Sequence, residues 1–464
     1  MTTTIRSTGA RAPQPRPAPS APRPYQFPRF YRRRLASGLQ LLVAPIAKLP
    51  LATVIALADA GAVAEPQGKE GVAHLTAQLL LEGTDRCDGA MLTQRFELLG
   101  ASADSYADWD AAGVRLTALT EHLPAAFDLL AEVVRTPAFR DRDVERLKAE
   151  RLAELLQLRA EPRGLADELF SRFLYDARSR FARPEGGDEV TVAALGRDDV
   201  RDFYEARYQP AASTIIIAGD VTPEAAETLV ERAFGDWSGV VPPVSRTLDG
   251  AARGSRAVHV VSKADAPQSE LRIGHVGLPR THPDYFPAVV MNAVLGGLFN
   301  SRVNLNLREA HGYTYGAFSS FDWRRQAGPF AVSTAVQSEA TEPSSREVLL
   351  EIDRIRAEPI GVDELSLATS YLDGVFPIRY ETTAAIATAL TGMVVYGLPE
   401  DYFDAYRDRV RSVTREDVLR AARNHLHPES LQLVVVGDPA VVRPPLEALG
   451  FGPLTVYDVG GNRE

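Results

Sequence analysis

The sequence predicts an α+β chain of two homologous domains, each a mostly antiparallel sheet with helices packed around it. Three observations lead there. The first is an internal repeat: Asp199-Val200 recurs as Asp417-Val418, and the strand ending Gly219-Asp220 recurs as Gly437-Asp438, both at a spacing of 218 positions. A helical stretch separates the two markers in each half, so the halves share an order of elements as well as a length. The second is size, because 464 residues with 45% hydrophobic content exceed one ordinary core. The third is that short apolar runs alternate with helical spacing without the regular strand-helix beat of a parallel, doubly wound sheet.

Taken in order, residues 1–27 read as a disordered tail, since Arg11 to Pro28 is dense in Pro, Arg, Ala and Ser and offers nothing to pack. The basic run Arg32-Arg33-Arg34 reads as a solvated edge, with docking on an acidic partner as the alternative. Residues 28–238 form the first domain. Leu39–Ala44 and Leu51–Ala60 read as strands parted by Pro45 and Pro50, and helical spacing marks Val72–Leu81, Thr93–Leu99, Leu123–Val134 and Val144–Tyr175. Ser213 to Ala218 is an apolar strand. Residues 239–255, with Pro242-Pro243 and a Gly- and Ser-containing stretch, read as a linker. In the second domain, 256–464, strands are expected at Ala257–Ser262, Glu270–Val276 and Leu431–Val436, and helices through Ala288–Leu295 and Arg302–Glu309.

Composition excludes several functions. The net charge of -10 conceals a wholly basic N-terminal stretch, so the folded remainder is acidic and lacks the broad basic face that nucleic acid requires. No apolar run reaches membrane length, and prolines interrupt every candidate secretory segment. Cys87 is the only cysteine, which rules out an intramolecular disulfide and a cysteine metal cluster. A cytoplasmic protein is the expectation.

Chemistry enters at Gly71-Val72-Ala73-His74-Leu75-Thr76-Ala77-Gln78, followed by Leu81-Glu82-Gly83-Thr84. This has the frame of a helix carrying H-x-x-E-H, in which two His at i and i+4 hold zinc and the Glu activates water. Here Ala77 stands for the Glu and Gln78 for the second His, leaving His74 alone. A neutral amide is a poor zinc ligand, and Ala77 has no group that could take a proton from water.

From about Pro28 to the C-terminus the sequence resembles the insulinase/pitrilysin family of zinc metallopeptidases, including the mitochondrial processing peptidase type. The resemblance rests on the Gly71–Thr84 frame, on Leu295-Gly296-Gly297-Leu298-Phe299-Asn300-Ser301-Arg302, and on Asn306-Leu307-Arg308-Glu309-Ala310-His311-Gly312-Tyr313-Thr314-Tyr315-Gly316. It implies that each chain is one half of a clam-like peptidase chamber. It also implies a distal zinc-ligand position on a long helix, which the anchors Glu150-Arg151 and Phe170 set at Gln157, with Glu154 one turn away as the alternative. In the second domain it implies that Arg308 and Tyr315 grip the substrate backbone near the scissile bond. A guanidinium fork suits a peptide carbonyl, and a phenol can donate to the oxyanion formed as water adds. Gly312 is expected to turn the chain out of the helix so that Tyr315 begins a strand.

The resemblance thus implies a non-catalytic, substrate-binding subunit of a heterodimeric zinc peptidase, and the Ala-, Arg- and Leu-rich composition suggests a bacterial source. It would have no catalytic residue or metal of its own, and its zinc would sit in a homologous partner with an intact H-x-x-E-H. The alternative is a scaffold that keeps the fold and cleaves nothing, as core subunits of a respiratory complex do. His74 reads as a packed or hydrogen-bonded side chain; His425 and His427, two apart, as exposed or capping. Gly296-Gly297 lacks the Lys-Ser/Thr of a phosphate loop and is expected to serve close helix packing.

Overall fold

The computed structural model describes residues 24–242 and 254–464. The assigned tail lies outside the described residues up to 23, and the assigned linker does so over 243–253. Among the described residues, the first sheet contains β1 (Tyr31–Arg34), β2 (Gln40–Pro45), β3 (Leu51–Ala58), β4 (Ser102–Ala107), β5 (Ala112–Leu119) and β6 (Ser213–Gly219), in the order β1-β2-β6-β3-β5-β4. The second contains β7 (Ala257–Ser262), β8 (Gln268–Val276), β9 (Ala317–Phe321), β10 (Pro329–Gln337), β11 (Gln432–Gly437) and β12 (Leu454–Tyr457), in the order β12-β7-β11-β8-β10-β9. β2 with β6, β7 with β11, and β12 with β7 are parallel pairs; every other pair is antiparallel. The repeat seen in the sequence therefore appears as matching central strands, with β6 and β11 each between one parallel and one antiparallel neighbour.

Around the first sheet lie α1 (Val72–Leu79), α2 (Gly89–Leu98), α3 (Leu123–Arg135), α4 (Asp141–Ala160), α5 (Pro162–Leu174), α6 (Glu189–Ala194), α7 (Arg197–Arg207) and α8 (Pro223–Phe234). The second half adds α9 (Tyr285–Asn292), α10 (Arg302–Asn304), α11 (Thr341–Ala357), α12 (Val362–Arg379), α13 (Thr383–Tyr396), α14 (Tyr402–Arg411), α15 (Arg415–His425) and α16 (Pro439–Ala448). The single stretch expected from Val144 to Tyr175 is two helices. Pro162 lacks the N–H that would continue the first, while the Glu161 carboxylate accepts the N–H groups of Arg163 (3.2 Å) and Gly164 (2.6 Å) and starts the second. Among the described residues, no helix is long and apolar enough to cross a membrane.

The halves exchange helices. α5 of the first half packs on β8 and β11, and α13 of the second packs on β3 and β6. One core consequently mixes Leu42, Ile55 and Ile216 with Leu390 and Met393, and another mixes Leu165, Leu169 and Phe173 with Val434 and Val436. Each sheet would face water on one side without the other half, so the apolar burial that stabilises them is shared. The turn between β9 and β10 adds a polar tie: Arg325 donates its backbone N–H to Asp110 (2.9 Å), its Nη1 to Asp59 (2.5 Å) and its Nε to the Val395 carbonyl (2.7 Å).

One expectation at the N-terminus is corrected, and the basic run is an exposed edge as expected. The tail does not extend to residue 27: Phe27 is buried, stacked on Phe403 with ring centroids 4.2 Å apart, and Tyr25 donates its hydroxyl to the Tyr380 carbonyl at 2.9 Å. Aromatic side chains gain enough from burial to order this short segment despite its polar neighbours. The basic run is the edge strand β1, where Arg33 pairs with Glu227 and, at 3.0 Å, with Glu231 of α8.

Candidate functional site

The degenerate motif lies on α1, where the spacing placed it. Gly71, at φ 98°, turns the chain into the helix, and the Glu65 carboxylate accepts the N–H groups of Gly71 (3.0 Å) and Ala73 (2.9 Å). Arg180 fixes that carboxylate from the other side through Nε (3.0 Å) and Nη2 (2.5 Å). The frame is thus held firmly although its ligands are gone. His74 and Gln78, one turn apart on the same face, are half-buried, and Ala77 is buried.

Burial lowers the His74 pKa from its ordinary value, and the positive charge of Arg151 lowers it further, while Glu154 opposes both. The imidazole is neutral near pH 7. Arg151 and Glu154 both come from α4 and pair with each other, Nη1 to Oε2, at 3.1 Å; Arg151 also donates Nε to the Gly186 carbonyl at 3.3 Å. The carboxylate of α4 that acts on His74 is therefore Glu154. Gln157, placed there from the sequence anchors, is on the following turn, and both it and Glu154 are exposed. One imidazole, one amide and a carboxylate already engaged by a guanidinium do not fit a zinc ion: the donors are too few, and Arg151 adds a fixed cation where the metal's own charge would lie.

The second group is on the other half. The chain from α9 continues as a π-helical segment, Ala293–Gly297, and a second one, Leu305–Ala310, carries Arg308. Gly296 is needed there for contact with a strand, not with a helix as expected, because a Cβ would come within 2.5 Å of the Ser319 nitrogen on β9. Gly312, at φ 67°, ends the second segment, with its N–H on the Arg308 carbonyl at 3.2 Å. Tyr315 does not begin a strand, since β9 starts only at Ala317. It lies in a short loop pinned by Thr314, whose hydroxyl accepts from Gly316 N–H (3.1 Å) and from the Thr334 hydroxyl (3.0 Å).

Within this loop Tyr315 is 94% exposed. Beside it is a cavity of about 450 Å³ lined by Phe318, Asp167, Glu270, Arg272 and Thr334 among others. Arg308 stands over the face of Phe299, 4.6 Å from guanidinium carbon to ring centroid, and its Nε lies 3.6 Å from Glu309. Its Nη1 is buried with no hydrogen-bond partner among the described residues. Both side chains thus keep donor capacity that their own half leaves unused. No hydrogen bond or ion pair among the described residues joins them to His74.

Sequence reasoning missed Arg151 and Phe299. Arg151 is a helical turn before Glu154, so the spacing held a signal for it; Phe299 is inside a quoted motif, but nothing in the sequence shows that Arg308 reaches back over its ring. His425 is buried and not exposed, with Nε2 2.7 Å from Asp284 Oδ2, whereas His427 donates its backbone N–H to His275 Nε2 at 3.1 Å.

Comparison with known families and structures gives consistent matches. A family model described as insulinase (peptidase family M16) matches residues 47–180, and one described as peptidase M16 inactive domain matches residues 194–372. An uncharacterised zinc protease of Streptomyces coelicolor is 24% identical over 400 residues, covering 85% of this chain and 87% of its own. Among solved structures, a peptidase M16 inactive domain from Pseudomonas fluorescens superimposes with a TM-score of 0.83 at 25% identity, covering 88% of this chain and 98% of that one. A protease from Helicobacter pylori has the same fold, with a TM-score of 0.78 at 17% identity over 89% of this chain and 100% of that one.

Proposed function

The chain belongs to the insulinase (M16) peptidase family, and on that premise we propose that it is the non-catalytic, substrate-binding subunit of a heterodimeric zinc peptidase. Its partner is a homologous chain with an intact H-x-x-E-H, whose zinc supplies the activation of water. This chain's residues bind and orient. Arg308, half-buried, offers the exposed part of its guanidinium to a peptide carbonyl beside the scissile bond, and the Tyr315 hydroxyl donates to the oxygen that gains charge as water adds. Peptide is the substrate class, and reaction needs both chains.

The observation that carries this reading is the exposure of Tyr315. A tyrosine 94% exposed does nothing for the packing of its own chain, while a residue that works across an interface must project in this way. A scaffold has no comparable use for it. The surroundings of His74 support the same division of labour, because a neutral imidazole beside Arg151 activates no water.

The experiment is reconstitution. The purified chain is expected to cleave no peptide and to hold no zinc that depends on His74; adding the H-x-x-E-H chain that co-purifies with it from native extract is expected to restore peptide hydrolysis. Hydrolysis by this chain alone, lost on His74→Ala, would overturn the proposal.

A further inference from the structure

Far from α1 in sequence, a second group of ligating side chains comes together where α9 and α15 pack. We infer that His282, Asp284 and His425 form a binding site for one divalent transition-metal ion, separate from the degenerate motif. Each residue offers one ligand atom, and these atoms all lie within 4.8 Å of one another. Bonds of about 2.0–2.1 Å to a tetrahedral ion set its donors roughly 3.3 Å apart, so small side-chain shifts suffice.

The group is held by its surroundings. His282 Nδ1 accepts the Asp284 backbone N–H at 3.0 Å, and the His282 and His425 rings meet edge to face with centroids 4.8 Å apart. Arg420 donates to Asp284 Oδ1 at 3.0 Å, which orients the carboxylate and leaves Oδ2 directed at His425. The hydrogen bond from His425 Nε2 to Asp284 Oδ2 now occupies the centre of the group. An ion takes the place of that hydrogen, which moves to Nδ1 as the ring changes tautomer, and it also takes the His282 lone pair from the Asp284 N–H. These exchanges cost binding energy, so the expected affinity is on the order of micromolar.

His282 also lines a cavity of about 290 Å³. That volume gives an ion an approach from the His282 side, the only one of the three that lines it. Arg280 and Arg409 line the same cavity, but each lies over an aromatic face, Arg280 at 3.7 Å from the Tyr285 centroid and Arg409 at 5.6 Å from that of Phe286. Two imidazoles and one carboxylate select zinc, cobalt or nickel over magnesium or calcium.

The test is a titration of the whole chain near neutral pH with zinc by calorimetry, and with cobalt by the visible absorption of a tetrahedral Co²⁺ centre. One ion is expected per chain. His282→Ala and Asp284→Asn are each expected to weaken it at least about tenfold, and His74→Ala to leave it unchanged. His282→Ala keeps the Asp284–His425 pair and so reports on binding without removing that contact. Absence of saturable binding, binding indifferent to His282→Ala, or binding lost with His74→Ala would each overturn the inference. None of these outcomes depends on a partner chain, so they leave the subunit proposal to its own experiment.

Discussion

Tyr315 and Arg308 keep polar groups that the described residues leave unused: one side chain is 94% exposed, and one guanidinium nitrogen is buried without a hydrogen-bond partner among them. Because Tyr315 is 94% exposed and its hydroxyl makes no hydrogen bond among the described residues, Tyr315→Phe is expected to leave unfolding free energy within about 0.5 kcal/mol of wild type, as measured by urea denaturation. Glu185 behaves differently. Burial, reinforced by Asp108, raises its pKa from 4.5 to about 7. The folded chain therefore retains this proton where the unfolded chain releases it, so the group's contribution is complete below about pH 4.5 and lost as pH rises through about 7. Glu185→Gln is expected to remove that decline from stability measured between these limits; an unchanged slope would mean that another group is responsible.

Among the elements, the N-terminal segment gives the clearest energetic prediction. Phe27 leaves the first sheet's edge to stack on Phe403 between α12 and α14, so Phe27→Ala is expected to cost about 3 kcal/mol, read from the denaturant midpoint. A cost near zero would restore the solvated tail that composition suggested. That segment also shows where the sequence was legible and where it was not. β2, β3, β6, β7 and β11 were visible because each is a mostly apolar run buried on both faces, and β8 because its apolar residues are buried among polar ones. The edge strands β4, β9 and β12 were not, because segments such as Ser102–Ala107 are polar and half-exposed, and neither were the interior strands β5 and β10, where buried and partly exposed positions alternate. Helical spacing did not reveal the two π-helical segments either, since a single register change in 293–297 or 305–310 leaves the apolar pattern nearly intact. At the site, His74, Arg308 and Tyr315 could be named from motifs. Glu154 was named only as the alternative to Gln157, and its action on His74, like that of Arg151, needed the packing of α4 on α1, a contact between elements far apart in the chain.

Across the whole molecule the exchange of α5 and α13 decides how the chain behaves. Each helix covers the other half's sheet, and Arg325 ties the β9–β10 turn to Asp59 and Asp110. The halves should therefore unfold in one transition, with near-UV circular dichroism and tryptophan fluorescence coincident, and the first half expressed to residue 242 should not fold by itself. Two separated transitions would contradict this account of the shared core. The most direct test of the central claim is the turnover number of the reconstituted pair carrying Tyr315→Phe in this chain alone. The expected result is a fall of about 10²-fold with the two chains still co-eluting; turnover equal to wild type in an intact complex would contradict it.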